Sequence, residues 1–486
     1  MTRFNKNVFI LGCGGVVQCT LPLLFKLLQI PPEKVTIMDF VDNRSRIRDF
    51  LDTGVTYVQE KLTPENYNQL LKKYLTAGDL FIDLAWNVET AAMIEWCHEN
   101  NVLYINTSIE EWAPYKHIEE VPPQHLTLYH RQMKLKEMVS RWPAKSATAI
   151  VDHGANPGLV SHFTKQALKE IALKILQEKP QDPRKKNLEK GLEENNFAQL
   201  GHLTNTQVIH ISERDTQITH KPKEVNEFVN TWSVEGFIEE GLAPSELGWG
   251  THEKTLPQGA MQHHHGPKNQ ILLASRGIDT WVRSWVPSGP IVGMVIRHGE
   301  SFGISERLTV WQDDKAIYRP TVHYAYCPAD SALSSLHEIR MRNFEQQDTK
   351  RILNDEILRG KDEVGCLLMG HDFTSWWIGS LLDINDSREL VPHQNSTTLQ
   401  VAISVVAAAL YAIKNPQLGF CLPDDIDHEE ILAISRPYLG EFFSGPVDWT
   451  PLSGPHQFLV FGKKRPNPED MWQFSTFKVH DIFYTW

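Results

Sequence analysis

The sequence predicts an α/β protein in which an N-terminal parallel sheet is followed by a second, α+β domain with a largely antiparallel sheet. Over the first 110 residues, short apolar strands alternate with helices, which is the pattern of βαβ units. From Gln207 to Val310 the pattern instead favours strands rich in Trp, Val, Ile and Thr. The composition, 41% apolar and 22% charged, excludes a disordered or fibrous chain.

The N-terminal elements follow one another in short steps. Strands are predicted at residues 7–11, 35–39, 56–58, 79–85, 102–107 and 149–151. Helices are predicted from the glycines at 12–15 to about Leu28, at 44–51, from Pro64, at 88–100, at 126–142 and after Gly158. The highly charged stretch from Gln177 to Asn196 is expected to be a solvated insertion.

Length and pattern together predict three segments. They are a dinucleotide-binding domain at 1–155, a substrate and catalytic α+β domain at 156–385, and a C-terminal helical segment at 386–486 that packs back on the first domain. Residues 396–398, Ser-Thr-Thr, are predicted to cap the apolar helix that follows. The apolar stretch 399–413 is too short to span a bilayer of about 30 Å, so it is predicted to be a buried core helix.

Charge and cysteine usage narrow the class of protein further. The net charge of −12 argues against a nucleic-acid partner and is compatible with a cationic substrate. Six scattered cysteines and the absence of a signal peptide predict a cytoplasmic protein with reduced thiols. The run His263-His264-His265 lies in a Gly- and Pro-rich loop, and adjacent histidines seldom bind one ion, so no metal is expected.

A glycine-rich turn follows the first strand and opens a helix, as in a Rossmann-type dinucleotide site. Gly12, Gly14, Gly15 and Val16 would form the turn and expose backbone N–H groups to a pyrophosphate. Val17 occupies the third glycine position, so the fingerprint is imperfect. Asp39 ends the second strand, where an acid bonds the ribose hydroxyls and repels a 2′-phosphate, which favours NAD over NADP. The alternative is an ordinary strand-to-helix turn.

Other polar residues lie in turns or after strands. Each could be a surface charge or a core residue if taken alone. They fall within segments 85–87, 106–112, 153–158, 210–215, 231–240 and 296–300. Because the carboxyl ends of parallel strands face a bound ligand, the first two segments are the candidates to lie opposite a nicotinamide.

Several unusual strings resemble those of bacterial homospermidine synthases, relatives of saccharopine dehydrogenase. The resemblance runs nearly end to end. Its strings are the N-terminal loop and residues 105–112, 152–158, 212–215, 230–233, 283–285, 298–300, 326–328 and 436–440.

The resemblance implies a transferase with tightly bound NAD and no net redox change. Putrescine gives a hydride to NAD⁺ and becomes an imine, ammonia leaves as a second amine attacks, and the new Schiff base takes the hydride back to give homospermidine. It also implies a homodimer. By similarity Trp232 stabilises the cation, a contribution of about 0.5–2 kcal/mol. Glu110, Glu213 and Glu240 hold ammonium groups and relay protons, while Asn156 and His298 line the pocket. Asn87 and Thr107 join the glycine turn and Asp39 at the cofactor.

This sequence departs from the family pattern at Val17, at Asn87 in place of Asp, and at Glu111 in place of Pro. The preference for putrescine over spermidine is therefore open. One alternative is a saccharopine- or carboxynorspermidine-type NAD(P)-dependent dehydrogenase, whose carboxylate substrate would need Arg or Lys partners. Another is an NAD-binding sensor without catalysis. The Glu-rich, Arg-poor segments favour the synthase.

Overall fold

The computed structural model describes residues 2–114, 116, 121–143, 145–453 and 467–479. The chain divides into two compact units, residues 1–162 with 383–440 and residues 163–382 with 441–486. The predicted C-terminal segment is thus shared: residues 386–440 belong to the first unit, whereas the strand Glu441–Val447 belongs to the second, where it pairs with Ser375–Asp383. Residues 454–466 and 480–486 of that segment lie outside the described residues.

A parallel sheet, seven-stranded within the described residues, forms the core of the first unit, as predicted. In spatial order its strands are Thr56–Gln59, Val35–Asp39, Val8–Leu11, Leu80–Asp83, Leu103–Asn106, Ala149–Ile150 and Phe420–Cys421. The first six have the 3-2-1-4-5-6 order of a Rossmann-type sheet. Their alternation with helices makes the strands parallel, because parallel neighbours need crossover connections. The seventh strand comes from late in the chain and pairs in parallel with Ala149–Ile150.

Helices cover the parallel sheet. The first-unit helices are Gly15–Leu27, Arg48–Thr53, Tyr67–Tyr74, Thr90–Asn100, Leu128–Val139, Ile384–Leu390, Ser396–Lys414 and His428–Ser435. The helix Leu159–Glu178 contains the boundary between the units. Short 3-10 turns lie at Pro32–Lys34, Arg44–Ile47, Pro123–Leu126, Pro423–Asp425 and Arg436–Tyr438. A two-stranded parallel ribbon pairs Thr2–Arg3 with Leu28–Gln29.

The apolar helix Ser396–Lys414 is confirmed as a buried core helix. By length and composition it could cross a membrane, with a mean hydropathy of 1.7, but 89% of that window is buried inside the protein. The predicted cap is wrong by one residue. Asn395 is the N-cap, and its side chain accepts a hydrogen bond from the Thr398 backbone N–H at 2.8 Å. Both Asn and Ser are good N-caps, so the sequence did not distinguish them.

The second unit is built on a mixed, mostly antiparallel sheet, ten-stranded within the described residues, as predicted. Eight strands follow one path: Met261–Gln262, Gln270–Arg276, Pro244–Gly248, Thr321–Cys327, Val208–Asp215, Lys361–Met369, Ser375–Asp383 and Glu441–Val447. The hairpin Trp281–Val286 and Gly289–Met294 joins through Thr321–Cys327. The pair Val208–Asp215 and Thr321–Cys327 is parallel.

Smaller elements complete the second unit. Its helices are Lys185–Glu193, Phe197–Thr204, Val234–Leu242, Glu300–Arg307, Asp330–Met341 and Phe474–Phe477, with 3-10 turns at Gly277–Asp279 and Pro468–Asp470. Two-stranded ribbons pair Ile218–Thr219 with Ile357–Arg359, Glu227–Asn230 with Thr349–Ile352, and Val310–Gln312 with Lys315–Tyr318. The charged stretch 177–196 is largely exposed and contains a helix that buries only Leu188 and Gly191.

Candidate active site

The glycine turn of the first unit has the local geometry that a dinucleotide requires. Gly12 has φ +93°, and a Cβ there would lie 2.9 Å from the Leu84 carbonyl oxygen, so only glycine fits. Gly14 is the N-cap of Gly15–Leu27, and a Cβ built on it would enter open space. Gly15 and Val16 form the first turn of this helix, which has no side-chain cap. Its N–H groups and dipole therefore fit a pyrophosphate.

Asp39 lies beside the glycine turn at the end of the second strand. Its Oδ2 accepts from the Cys13 N–H at 2.7 Å and its Oδ1 from the Val41 N–H at 2.9 Å. Oδ2 also accepts from the Asn43 side-chain amide at 3.3 Å, so Oδ1 is the oxygen with capacity for a further donor. The half-buried carboxylate thus both shapes the turn and remains able to accept from a ribose hydroxyl.

The carboxyl edge of the sheet also carries a buried acid that sequence reasoning missed. Asp83 stands in register with Leu11 and Asn106 at the ends of neighbouring strands. It accepts from the Tyr104 hydroxyl at 2.9 Å, and burial raises its pKa to about 7 despite that bond, with a further rise from Glu110. The rule that strand ends face the ligand could have identified Asp83.

The predicted residues after the fourth and fifth strands lie at the same edge. Asn87 adopts φ 58°, and its Oδ1 is buried without a hydrogen-bond partner among the described residues. A ligand donor there would satisfy it. Thr107 follows the strand Leu103–Asn106 and lies against the loop at Gly154. A Cβ built on Gly154 would be 3.7 Å from the Thr107 Cβ. An orphaned amide oxygen and an open glycine cradle on one edge fit a bound dinucleotide.

Glu110 and Glu111 point to different partners. Glu110 accepts from the Ser108 hydroxyl at 2.9 Å, and its N–H donates to Thr90 Oγ1 at 2.9 Å. The Glu111 carboxylate instead pairs with the buried Arg131 at 3.3 Å and with Lys134 at 3.2 Å. The extra carboxylate at Glu111 therefore balances the positive charges of Arg131 and Lys134 on the helix Leu128–Val139.

Asn156 lies in a tight loop that is anchored to the same edge. The Asp152 N–H donates to Asn106 Oδ1 at 2.8 Å, and the Gly154 N–H donates to the Pro157 carbonyl at 2.6 Å. The peptide bond before Pro157 is cis. A Cβ at Gly158 would lie 1.8 Å from the Gly154 carbonyl oxygen, so the loop closes only with glycine.

A buried chain of hydrogen bonds supports this loop from below. Ser404 Oγ lies 2.6 Å from the Gly154 carbonyl, and only the serine can donate there. It must then accept from His153 Nδ1 at 2.9 Å. His153 Nε2 in turn accepts from His162 Nε2 at 3.0 Å. The helix Ser396–Lys414 thereby fixes a loop that lies about 250 residues earlier in the sequence.

The second unit brings three predicted site residues, Trp232, Glu213 and His298, into one network. The Tyr324 hydroxyl donates to Glu213 Oε2 at 2.5 Å, and the Trp232 indole N–H donates to the Tyr326 hydroxyl at 2.9 Å. The two phenol rings are stacked with centroids 5.2 Å apart. The His298 ring lies 4.4 Å from that of Tyr324. Alternate residues of the strand Thr321–Cys327 therefore connect Trp232, Glu213 and His298.

His298 is held between two carboxylates. Its Nε2 lies 2.9 Å from Glu240 Oε2, and its Nδ1 lies 3.2 Å from Glu300 Oε1. Burial alone would lower its pKa, but Glu240 and Glu300 outweigh burial and hold the pKa of His298 well above its ordinary value. Both ring nitrogens then donate, so His298 is an imidazolium that orients Glu240.

Sequence reasoning missed several members of this network. Tyr324, Tyr326 and Glu300 are among them, although Tyr326 and Glu300 stand in strings that carried the resemblance. Asp215 and Asp362 are buried and face each other on the adjacent strands Val208–Asp215 and Lys361–Met369. Burial raises the pKa of Asp215 to about 6. The period-two spacing of Tyr324 and Tyr326 was the available signal.

The two arginines of the candidate segments are placed elsewhere. Arg297 donates to Glu239 at 2.8 Å in a buried pair. Arg214 alternates with Glu213 along its strand, so it projects from the opposite face, where it reaches Ser288 Oγ at 3.3 Å. Each cysteine is free. Within the described part of the chain, no group of three or more His, Cys, Asp or Glu residues could hold a metal ion.

Comparison with known proteins places the whole chain. Residues 8–150 match the saccharopine dehydrogenase NADP binding domain, and residues 154–444 match the saccharopine dehydrogenase C-terminal domain. The homospermidine synthase of Mesorhizobium japonicum is 37% identical, covering 97% of this chain and 96% of that protein. The homospermidine synthase of Blastochloris viridis is 36% identical, covering 99% and 98%.

A solved structure agrees with this placement. The crystal structure of homospermidine synthase from Legionella pneumophila in complex with NAD has a TM-score of 0.86 and 34% sequence identity, and the match covers 98% of each chain. Both compact units, including the turn that carries Trp232, therefore lie within the match. By sequence and by fold, this chain belongs to the homospermidine synthase family, within the wider saccharopine dehydrogenase group.

Proposed function

We propose that this protein is an NAD-dependent homospermidine synthase. It converts two putrescines to homospermidine with release of ammonia, or putrescine plus spermidine to homospermidine with release of 1,3-diaminopropane. The network around Trp232, Tyr326, Glu213, His298 and Glu240 carries the proposal. A diamine dication needs carboxylates for its charged ends and an aromatic face for a cationic intermediate.

Each residue of the second-unit network has a separate proposed role. The carboxylates of Glu213 and Glu240 receive ammonium groups, and the indole face of Trp232 stabilises the positive charge of the imine. His298 keeps Glu240 oriented through the 2.9 Å contact. For Asn156 and Glu110 of the first unit, the roles of amine binding and proton transfer rest on the family resemblance alone.

The cofactor proposed is NAD, held by the glycine turn, Asp39, Asn87 and Thr107. When bound, NAD supplies the acceptor and donor of the hydride. Gly14 leaves room for the pyrophosphate, and the Asp39 carboxylate accepts from ribose hydroxyls while disfavouring a 2′-phosphate. The NAD complex of the Legionella pneumophila relative supports this choice.

The test is turnover of putrescine with a trace of NAD⁺. A synthase forms homospermidine far in excess of the NAD⁺ supplied, because the hydride returns at each cycle. A saccharopine- or carboxynorspermidine-type dehydrogenase stops at stoichiometry, and an NAD-binding sensor retains NAD without forming product. Isotope-labelled putrescine with unlabelled spermidine, analysed by mass spectrometry, identifies the preferred amine pair.

We also propose a cellular location and an oligomeric state for the enzyme. The net charge of −12 and the free cysteines support a cytoplasmic protein without a nucleic-acid partner. The burial of Ser396–Lys414 supports a protein without a membrane span. The family resemblance supports a homodimer, which sedimentation velocity would test.

A further inference from the structure

Tyr326 presents a hydroxyl proton that the protein does not use. Its side chain is fully buried, and its oxygen accepts the Trp232 indole N–H at 2.9 Å. Among the residues that the structure describes, its own O–H has no acceptor. Its neighbour Tyr324 differs, because the hydroxyl of Tyr324 donates to Glu213 at 2.5 Å. A buried donor without an acceptor is costly unless a ligand satisfies it.

The groups that face Tyr326 are acidic or apolar. Glu213 and Asp215 act on it from one adjacent strand and Asp362 from the strand beyond, while the helix Val234–Leu242 contributes Phe237, whose ring centroid lies 5.6 Å away. Burial, followed by these carboxylates, holds the pKa of Tyr326 well above its ordinary value. The phenol therefore stays protonated and acts as a donor.

We propose that Tyr326 donates its hydroxyl proton in a hydrogen bond to the lone pair of an uncharged substrate amine. An ammonium group has no lone pair, so this contact selects the amine form that can react, whereas the surrounding carboxylates hold ammonium ends. The inference rests on the proposed function and assigns Tyr326 to that site as a substrate-binding residue. The Tyr326 oxygen accepts from the Trp232 indole N–H, and the Tyr326 O–H donates to the amine nitrogen. Tyr326 therefore connects Trp232 to the reacting nitrogen through two hydrogen bonds.

The competing explanation is that Tyr326 only positions Trp232. The two roles differ in pH dependence, because kcat against pH reports groups in the enzyme–substrate complex. Loss of a donor to the neutral amine raises the apparent pKa of the acidic limb by up to about one unit, equivalent to about tenfold. If Tyr326 only positions Trp232, its loss lowers kcat by the same factor at every pH.

The experiment compares kcat profiles of homospermidine formation for wild type and Y326F. The expected result is a limb displaced to higher pH, with kcat about tenfold lower on the acidic side and converging at alkaline pH. The matched control is Y318F. It removes another buried phenol of the same unit, one that donates to the Thr206 carbonyl at 2.6 Å, and should keep the wild-type limb.

A second pair of variants isolates the hydroxyl. Y326F leaves the indole N–H without an acceptor, which could impair folding, whereas W232F and W232F/Y326F leave no such donor. W232F should keep the acidic limb of the kcat profile at its wild-type pH. W232F/Y326F should show that limb displaced to higher pH. An equal limb in both, or a uniform loss in Y326F, overturns the inference while leaving the synthase proposal intact. A wild type that forms no homospermidine overturns the synthase proposal itself.

Discussion

Trp232 is held by a specific hydrogen bond, so its role can be separated from that of a core residue. The indole is half-buried and fixed at its nitrogen by Tyr326, with Phe237 at a ring distance of 5.4 Å. The Trp232→Ala variant should lower kcat by about 30-fold, which corresponds to a cation–π contribution of about 2 kcal/mol. NAD retention, measured by absorbance after gel filtration, should be unchanged. A wild-type kcat in this variant would reject the role.

Asp39 makes contacts of two kinds, which two substitutions can separate. Its carboxylate accepts from Cys13 and Val41 N–H groups within the protein and remains able to accept from a ribose. Asp39→Ala should reduce NAD occupancy of the purified protein by about tenfold, the cost of a lost charge-assisted bond. Asp39→Asn keeps one of the two acceptor oxygens that hold the loop and removes the charge that repels a 2′-phosphate. It should narrow the preference for NAD over NADP in calorimetric titrations, and an unchanged ratio would count against the ribose contact.

At the level of elements, two adjacent strands of the second unit carry a buried pair of imidazoles. His210 and His323 are register partners with ring centroids 4.2 Å apart, and both are fully buried. Burial lowers the pKa of His323 from 6.5 to about 4 and holds that of His210 well below its ordinary value. Between pH 6.5 and 4 the unfolded chain therefore binds protons that the folded chain does not, so stability falls as pH falls.

This linkage gives a measurable slope. His323 alone should remove up to about 3 kcal/mol from the free energy of unfolding between pH 6.5 and 4, as followed by urea midpoints. The His323→Asn variant should start lower at pH 7 but lose less on acidification. Burial also lowers the pKa of His371 to about 4, and its contribution to the pH dependence remains in the variant. The free energy of unfolding should therefore still fall with pH, but with a smaller slope. Equal slopes in both proteins would contradict the assignment.

Elements defined by local pattern were predictable, whereas those defined by distant pairing were not. The strands Val8–Leu11 and Val35–Asp39 fall within a residue of their predicted bounds because apolar runs between turns specify them locally. The predicted helix at 44–51 is divided into the 3-10 turn Arg44–Ile47 and the helix Arg48–Thr53. Nothing local in Phe420–Cys421 indicates that it pairs with Ala149–Ile150. That contact depends on the position of the preceding long helix.

The same distinction applies to the candidate site across the whole molecule. The glycine turn and Asp39 could be found because their spacing is short and physically constrained. Trp232, Glu213, Glu240 and His298 were identified through the family resemblance. The positions of Tyr326 and Asp83 could have been marked by strand periodicity and by the strand-end rule. Their partners could not, because only strand register aligns Tyr326 with Glu213 and Asp83 with Leu11.

At the scale of the whole molecule, the net charge of −12 should assist a dicationic substrate. A negative field raises the local concentration of cations, and salt screens it over a Debye length of about 10 Å at 0.1 M. Raising NaCl from about 20 to 200 mM should therefore increase the KM for putrescine several-fold while kcat changes little. A monocation such as butylamine, tested as a competitive inhibitor, should show a shallower dependence because it carries half the charge. A KM that is flat across this range would mean that the local carboxylates at Glu213 and Glu240, rather than the overall field, govern capture of the diamine.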